Sequence, residues 1–335
     1  MTITLPDTDA VDEHGYVPVV SLAGIGDPVR RAEVAGQVGD ALRRSGFYVA
    51  VDHTVPLGVF ADLTRAAFEF FHQSDDAKAA YGPSQADATR RGWTSKYRAA
   101  SGIGVNTDED AAQAWALNPY DEALGWRDLE ALPPTYRSAF VHPNRIPDTP
   151  GFRAAALTYF AAMESQLLTL LALHALDLGL APDHFTRLCA GAMTNLVVNH
   201  YPPQKSEPLP DQSCLGPHTD LGIMTGLLHS GQRGLQVVDR ENPSAWIPVP
   251  TVPGGLIVNA GDLLVLVSGG RYRSALHRVV CGPEERLSVP VFLQPAPQTT
   301  VAPALPPVEG ADGTPVEFGA YFAERIGMMY AEPEH

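Results

Sequence analysis

Lysine is nearly absent from this chain, occurring only as Lys78, Lys96 and Lys205, and cysteine is as scarce, with Cys189, Cys214 and Cys281. Three widely spaced cysteines without a CxxC pair suggest neither a disulfide framework nor a zinc ribbon. A reducing cytoplasm is the simplest expected setting. The opening Met1-Thr2-Ile3-Thr4-Leu5-Pro6-Asp7 lacks the basic start and apolar core of a signal peptide. Long hydrophobic runs are also missing. The most apolar stretch, Leu167 to Leu180, is interrupted by His174 and Asp177 and is too short to span a bilayer, so no membrane partner is expected. Positive charge is in deficit, with 23 Lys+Arg against 38 Asp+Glu and a formal net charge of -15. That balance argues against nucleic acid as a partner, since phosphates require a basic face. It still permits a local arginine-lined pocket for a small molecule. Nothing marks an assembly surface, and a monomer is the default.

What is present suffices for a large core: 335 residues, 45% hydrophobic and only 18% charged, which excludes global disorder. Val17 to Leu22 predicts a short strand. A helix follows, with Asp27 as N-cap, Pro28 at its first position and Gly46 closing it. Phe47 to Val51 predicts a strand and Leu57 to Phe71 an amphipathic helix. Residues 81 to 150 show poor periodicity and predict loops and extended chain anchored by Trp93, Trp115 and Trp126. Phe152 to Leu180 predicts a long helix, and Asp183 to Cys189 a short one. From Thr194 the texture turns to short β-type runs: 195–201, 234–238, 256–259, 262–267 and 287–293. Many short strands with frequent turns favour a sandwich or barrel. A last helix covers Glu317 to Tyr330. No repeat and no convincing linker divides the chain, so an N-terminal α/β region (1–150) is expected to pack on a core formed by 151–335.

Three motifs carry chemistry. In His218-Thr219-Asp220, positions i and i+2 of a strand share a face, so both side chains can reach one ion. His277 lies far along the chain, within Gly269-Gly270-Arg271-Tyr272-Arg273-Ser274-Ala275-Leu276-His277-Arg278-Val279. Two imidazoles and a carboxylate are the facial set that holds Fe(II) and leaves positions open. Catalytic zinc also takes three protein ligands, so the donor set alone leaves iron and zinc open. Arg286-Leu287-Ser288 then places a guanidinium and a hydroxyl on one side of a strand, a clamp for a small carboxylate. Together the three point to an iron oxygenase that uses a 2-oxo acid. The other histidines (14, 53, 72, 142, 174, 184, 200, 229 and 335) show no such spacing and are expected to be structural or exposed. Cys214 is expected to be a small apolar filler.

The chain resembles the isopenicillin N synthase-like branch of the Fe(II)/2-oxoglutarate dioxygenases over nearly its whole length. The likeness rests on Arg43 to Val49 with Asp52-His53, Asn144 to Pro147, Pro150 to Arg153, Asn199-His200-Tyr201-Pro202, and the three motifs above. It implies an α+β protein with a mainly β core, a double-stranded β-helix (jelly roll) flanked by helices. It also implies Fe(II) held by His218, Asp220 and His277. The co-substrates would be 2-oxoglutarate and O2, with ascorbate as a supporting reductant. Arg286 and Ser288 would hold the distal carboxylate, and Asn199 and Tyr201 would line the same pocket. The implied reaction releases succinate and CO2 while a C–H bond of a primary substrate is hydroxylated, or desaturated or cyclised. Isopenicillin N synthase itself consumes no 2-oxoglutarate, so a 2-oxoglutarate-independent oxidase is one alternative and a non-catalytic metabolite-binding homologue another.

Substrate contacts are expected from loops near the iron. In Arg90 to Arg98 cationic and aromatic residues alternate, and Arg91, Trp93, Lys96 and Arg98 are candidates. On an acidic protein this loop suggests a carboxylate-bearing natural product or amino-acid-derived molecule, as in antibiotic and other secondary metabolism. Phe292 and an apolar lid of Phe322, Ile326, Met328 and Met329 complete the set. The Tyr120 to Trp126 region departs from the pattern of many relatives.

Overall fold

The computed structural model describes residues 15–95, 112–203, 213–231 and 234–330. Its first elements are β1 (Val19–Ser21), α1 (Pro28–Arg44), β2 (Phe47–Val51), α2 (Leu57–Phe71) and α3 (Asp75–Ala79). β3 (Gly92–Thr94), β4 (Gln113–Leu117), α4 (Pro134–Phe140) and the long α5 (Phe152–Asp177) follow. The second half contributes β5 (Asn195–Tyr201), β6 (Ser213–His218), β7 (Met224–His229), β8 (Leu235–Val238), β9 (Trp246–Pro248) and β10 (Leu256–Ala260). It closes with α6 (Asp262–Val267), β11 (His277–Val280), β12 (Arg286–Leu293), the ribbon β13 (Thr300–Val301) and β14 (Val316–Glu317), and α7 (Phe318–Tyr330).

α1 starts where its cap chemistry says it must. Asp27 accepts from the amides of Val29 and Arg30, satisfying two of the donors a helix start leaves over. It ends at Gly46, whose φ of +77° suits a residue without a side chain. A Cβ there would also sit 2.5 Å from the Arg273 carbonyl.

Two sheets face each other. The larger runs β1-β2-β10-β7-β12-β5-β4-β3 and the smaller β6-β11-β8-β9. Strands from both sides of residue 150 share the larger sheet, since β2 pairs with β10 and β4 with β5. Side chains alternate across it. Leu196 and Val198 of β5, and Leu287, Val289 and Val291 of β12, join the helices in the main core. Asn195, Val197, Asn199 and Tyr201, with Arg286, Ser288, Pro290 and Phe292, line a cavity between the sheets. α5 lies close on the helix side: a Cβ at Gly226 of β7 would come within 2.7 Å of Leu167.

The structure differs from the sequence expectations at several points. Residues 262–267 form α6, not a strand. A short apolar run fits either period, and here the left-handed Gly269 and Gly270 (φ +64° and +78°) end a single helical turn. Within 81–150, expected as loops and extended chain, β3 and β4 are the extended pieces, whereas the helix α4 was not expected. α5 is, by length and composition, apolar enough to cross a membrane. Its Phe152, Tyr159, Phe160, Met163, Leu167, Leu170 and Leu171 are instead buried in the protein's own core. Cys214 and Cys281 form a disulfide, with Cα atoms 5.0 Å apart, although 67 residues separate them. β6 and β11 are antiparallel neighbours with Val280 opposite Ser213, so the two thiols meet across strands, which spacing along the chain cannot reveal.

Candidate active site

β6 and β11 bring the two predicted imidazoles together. His277 stands opposite His218 in register, and their ring centroids are 4.2 Å apart. β6 ends at His218, so Asp220 reaches the same point from the turn before β7 rather than as a strand neighbour. Asp220 Oδ1 lies 3.9 Å from His218 Nε2 and 3.7 Å from His277 Nε2. Backbone carbonyls aim the two histidines and side chains aim the aspartate. Nδ1–H of His218 donates to the Gly216 carbonyl (2.8 Å) and that of His277 to the Ala275 carbonyl (3.0 Å), so both Nε2 lone pairs face the shared point. Asp220 Oδ2 accepts from Thr225 Oγ1 (2.6 Å) and Asn259 Nδ2 (2.7 Å), which leaves Oδ1 for a ligand. Burial, and then the neighbouring His277, push His218 down to about 4. For Asp220 burial acts upward, yet His277, His218, Asn259 and Thr225 together hold it below the ordinary carboxylate range. A neutral His218 beside an ionised Asp220 suits a divalent cation.

The far end of the cavity belongs to Arg286. Its guanidinium lies 4.1 Å from the centroid of the Tyr201 ring, and Nη2 donates to the Val280 carbonyl at 3.4 Å. Ser288 Oγ is 3.2 Å from Tyr201 Oη and 3.5 Å from Asn199 Nδ2. Register pairs Arg286 with Tyr201 and Ser288 with Asn199, so the four predicted co-substrate residues form one patch. Two features here carried no sequence signal. His229 lines the same end and is pushed down to about 4 by burial and then by Arg286, so it sits there neutral. Gly234 lets the guanidinium approach, since a Cβ there would fall 2.5 Å from Arg286 Nη2.

The expected substrate residues divide. Phe292 lines the cavity, and so do Phe322 and Ile326, one turn apart on α7. Met328, expected in the lid, points away and is 47% exposed. Arg91 is not in the cavity at all. It is 1% exposed, ion-paired to Asp87 (Nε to Oδ2 2.7 Å), and donates to the carbonyls of Tyr120, Phe140 and His142. Those carbonyls lie at the end of α4 (Phe140) and in irregular chain on either side of it (Tyr120 and His142), which makes Arg91 a structural staple. Trp93 is turned toward Gln113 and the Lys78 ammonium. Lys96 and Arg98 lie outside the described residues, and nothing is described of the Met329 side chain. The residue on the cavity wall is instead Arg90, one position earlier, with a left-handed φ of +53°. Thr225 and Asn259 were also missed, though a polar residue ending the apolar run Leu256-Ile257-Val258 was a usable signal.

Facing sheets that present two imidazoles and a carboxylate to one point, with an arginine deeper in the same cavity, define the class of 2-His-1-carboxylate oxygenases. Similarity to known proteins narrows this. Residues 193–295 match the 2OG-Fe(II) oxygenase superfamily, and residues 17–147 match the non-haem dioxygenase in morphine synthesis N-terminal family. The chain is 32% identical over 320 residues to the naringenin,2-oxoglutarate 3-dioxygenase of Arabidopsis thaliana, covering 93% of this chain and 81% of that one. It is 31% identical to the validamycin A dioxygenase of Streptomyces hygroscopicus subsp. limoneus, covering 90% and 83%. In fold it superposes on a full-length Neurospora crassa protein crystallised in complex with alpha-KG, with a TM-score of 0.79, at 22% identity and covering 97% and 100% of the two chains. The chain belongs to the Fe(II)/2-oxoglutarate-dependent oxygenases, in the isopenicillin N synthase-like superfamily. It is an oxygenase that uses iron and 2-oxoglutarate.

Proposed function

We propose that His218, Asp220 and His277 hold Fe(II), that Arg286, Ser288, Tyr201 and Asn199 hold 2-oxoglutarate, and that the primary substrate is a small carboxylate-bearing natural product or amino-acid derivative. The residues fit the ion: three N/O donors share one face, each fixed by a second hydrogen bond of its own, and no thiolate is among them. When bound, the iron supplies the activation of O2 that couples loss of CO2 from the co-substrate to attack on a C–H bond. The chain supplies placement. Arg286 and Ser288 anchor the distal carboxylate, which directs the 2-oxo end toward the triad. Apolar walls from Val197, Leu227, Ile257, Pro290 and Phe292 exclude water around it.

The observation that carries the substrate reading is Arg90, which brings a cationic side chain to the cavity wall. Beside it the cavity is lined by Thr89, Thr94, Ala114 and Ala116, small side chains that leave room for a substrate. An arginine over an otherwise largely apolar cavity selects an anionic group.

Two measurements test this. Metal-free protein is titrated anaerobically with Fe(II) and then 2-oxoglutarate, following the weak visible band of the chelate. His218→Ala is expected to abolish the band, and Arg286→Ala to demand much more co-substrate. A full-strength band in His218→Ala sinks the ligand assignment. Succinate release is then screened over pairs of acids and their amides or esters. Arg90→Met is expected to raise the KM for the acid and leave that for 2-oxoglutarate unchanged. Equal turnover of acid and amide removes the carboxylate reading.

A further inference from the structure

A second pair of histidines meets a carboxylate on the other side of the β5–β12 pair. His72 is the C-cap of α2, His200 lies on β5, and Glu285 directly precedes β12. Glu285 Oε1 is 2.8 Å from His72 Nε2 and 2.6 Å from His200 Nε2, and the three ligating atoms lie within 4.8 Å of one another. The His200 side chain is buried and that of His72 half-exposed, so the cluster opens to solvent on one side only. Aromatic packing holds both rings. Phe71 stacks on His200 (4.9 Å between centroids, 10° between planes), and Phe68 packs against both imidazoles. The C-terminal end of the 15-residue α2 arrives at His72, and a helix C-terminus favours positive charge. The neighbouring Lys78 ammonium is compensated by Asp75 (2.9 Å) and bonded to Gln113 and the Phe71 carbonyl.

We propose that His72, His200 and Glu285 form a second divalent-metal site, separate from the His218 triad, that takes Zn(II) or a similar borderline cation. Two imidazole nitrogens and one carboxylate oxygen, with water in the open position, are a zinc donor set. Without metal, Glu285 accepts from both Nε2–H groups and keeps the cluster assembled. Binding transfers each ring's proton to Nδ1. His200 Nδ1 is buried without a protein partner, which sets the affinity below that of a fully supported structural zinc site. Asn199 and Tyr201 flank His200 and face the opposite side of the sheet, while Glu285 adjoins Arg286. An ion here therefore ties α2 to the strands that carry the 2-oxoglutarate patch. That coupling rests on the co-substrate assignment above; the metal binding does not.

The test is equilibrium dialysis of chelator-treated protein against Zn(II), with bound metal counted by elemental mass spectrometry. Wild type is expected to hold two equivalents, one for each cluster, and His72→Ala and Glu285→Gln one each. His218→Ala is expected to retain the His72 equivalent. His72 is half-exposed, so an unchanged Tm serves to show that its replacement leaves the fold intact. A single equivalent in wild type, or two in His72→Ala, overturns the site. With the iron triad first filled anaerobically with Fe(II), added Zn(II) is expected to change 2-oxoglutarate affinity by about fivefold or more in wild type and not in His72→Ala. No change in wild type, or the same change in the variant, overturns the coupling and leaves the dialysis count to decide the site itself.

Discussion

Gly234→Ala tests the 2-oxoglutarate end without replacing any group proposed to bind it. A Cβ at this position would lie 2.5 Å from Arg286 Nη2, 2.9 Å from Cζ and 3.1 Å from the Val280 carbonyl. The backbone has little freedom to yield, because the Val280 amide donates to the Gly234 carbonyl at 2.8 Å. Arg286 has no easy retreat either: the Tyr201 ring lies on it at 4.1 Å, and Gly231 sits against its Cβ. Ordinary contact then requires the guanidinium to move by roughly 1 Å, enough to forfeit one charge-assisted hydrogen bond to a carboxylate. Such a bond is worth about 1.5–3 kcal/mol, which corresponds to about 10- to 150-fold weaker 2-oxoglutarate binding. The assay is the anaerobic titration of the Fe(II)-loaded variant with 2-oxoglutarate, beside its Fe(II) affinity, which is expected to stay at the wild-type value. Co-substrate affinity within about twofold of wild type would refute the placement of Arg286 as the carboxylate anchor.

Three further outcomes follow from buried groups. Asn259→Ala removes one of the two bonds that orient Asp220 and is expected to weaken Fe(II) binding by about 10- to 100-fold, measured by anaerobic chelator competition; unchanged affinity would show that Thr225 alone suffices. His174 is pushed down to about 3 by burial and then by Arg43, against an ordinary value of 6.5. The unfolded chain therefore takes up a proton below pH 6.5 that the folded one refuses, so this stability is whole at neutral pH and falls as the pH drops, by about 2 kcal/mol at pH 5. His174→Gln should flatten the denaturation profile between pH 7 and 5, and an undiminished slope in the variant contradicts that assignment. Breaking the Cys214–Cys281 link with Cys281→Ser should lower stability by about 2–4 kcal/mol, and equal denaturation midpoints for oxidised wild type and variant would count against the disulfide.

The spatial grouping of His218, Asp220 and His277, and of the four residues proposed to hold the co-substrate, was legible in the sequence because they stand on strands or at strand ends. Alternation puts Asn199 and Tyr201 on one face of β5, and Arg286 and Ser288 on one face of β12; antiparallel register then sets them opposite each other. The same rule hid the second histidine cluster, since His200 occupies the intervening position and meets His72 from a helix 128 residues earlier in the chain. Local reading sees neither that pairing nor the meeting of Cys214 with Cys281. The period of 262–267 misled for a different reason, because six residues, five of them apolar, span less than two helical turns and carry too little pattern to separate helix from strand.

The substrate loop shows where residue-type reasoning stops. Alternating cationic and aromatic residues from Arg90 to Arg98 pointed to Arg91, whereas the arginine at the cavity is its neighbour. Arg90 has a φ of +53° and Gly92 one of +111°, so the chain turns there and no alternation rule assigns faces. A Cβ at Gly92 would meet the Tyr81 carbonyl, so only glycine permits that turn. The turn carries Arg91 inward to Asp87 and three carbonyls, and leaves Arg90 on the cavity wall. Two adjacent arginines thus take opposite roles. Replacing Arg91 should unfold its surroundings, because buried Asp87 loses its cationic partner and the Tyr120, Phe140 and His142 carbonyls each lose a donor. Replacing Arg90 should change only which molecules the enzyme accepts. A pair of variants, Arg90→Met and Arg91→Met, separates the two: a large Tm loss confined to Arg91→Met, with altered substrate choice confined to Arg90→Met, is the expected result, and the reverse assignment would return the substrate contact to Arg91.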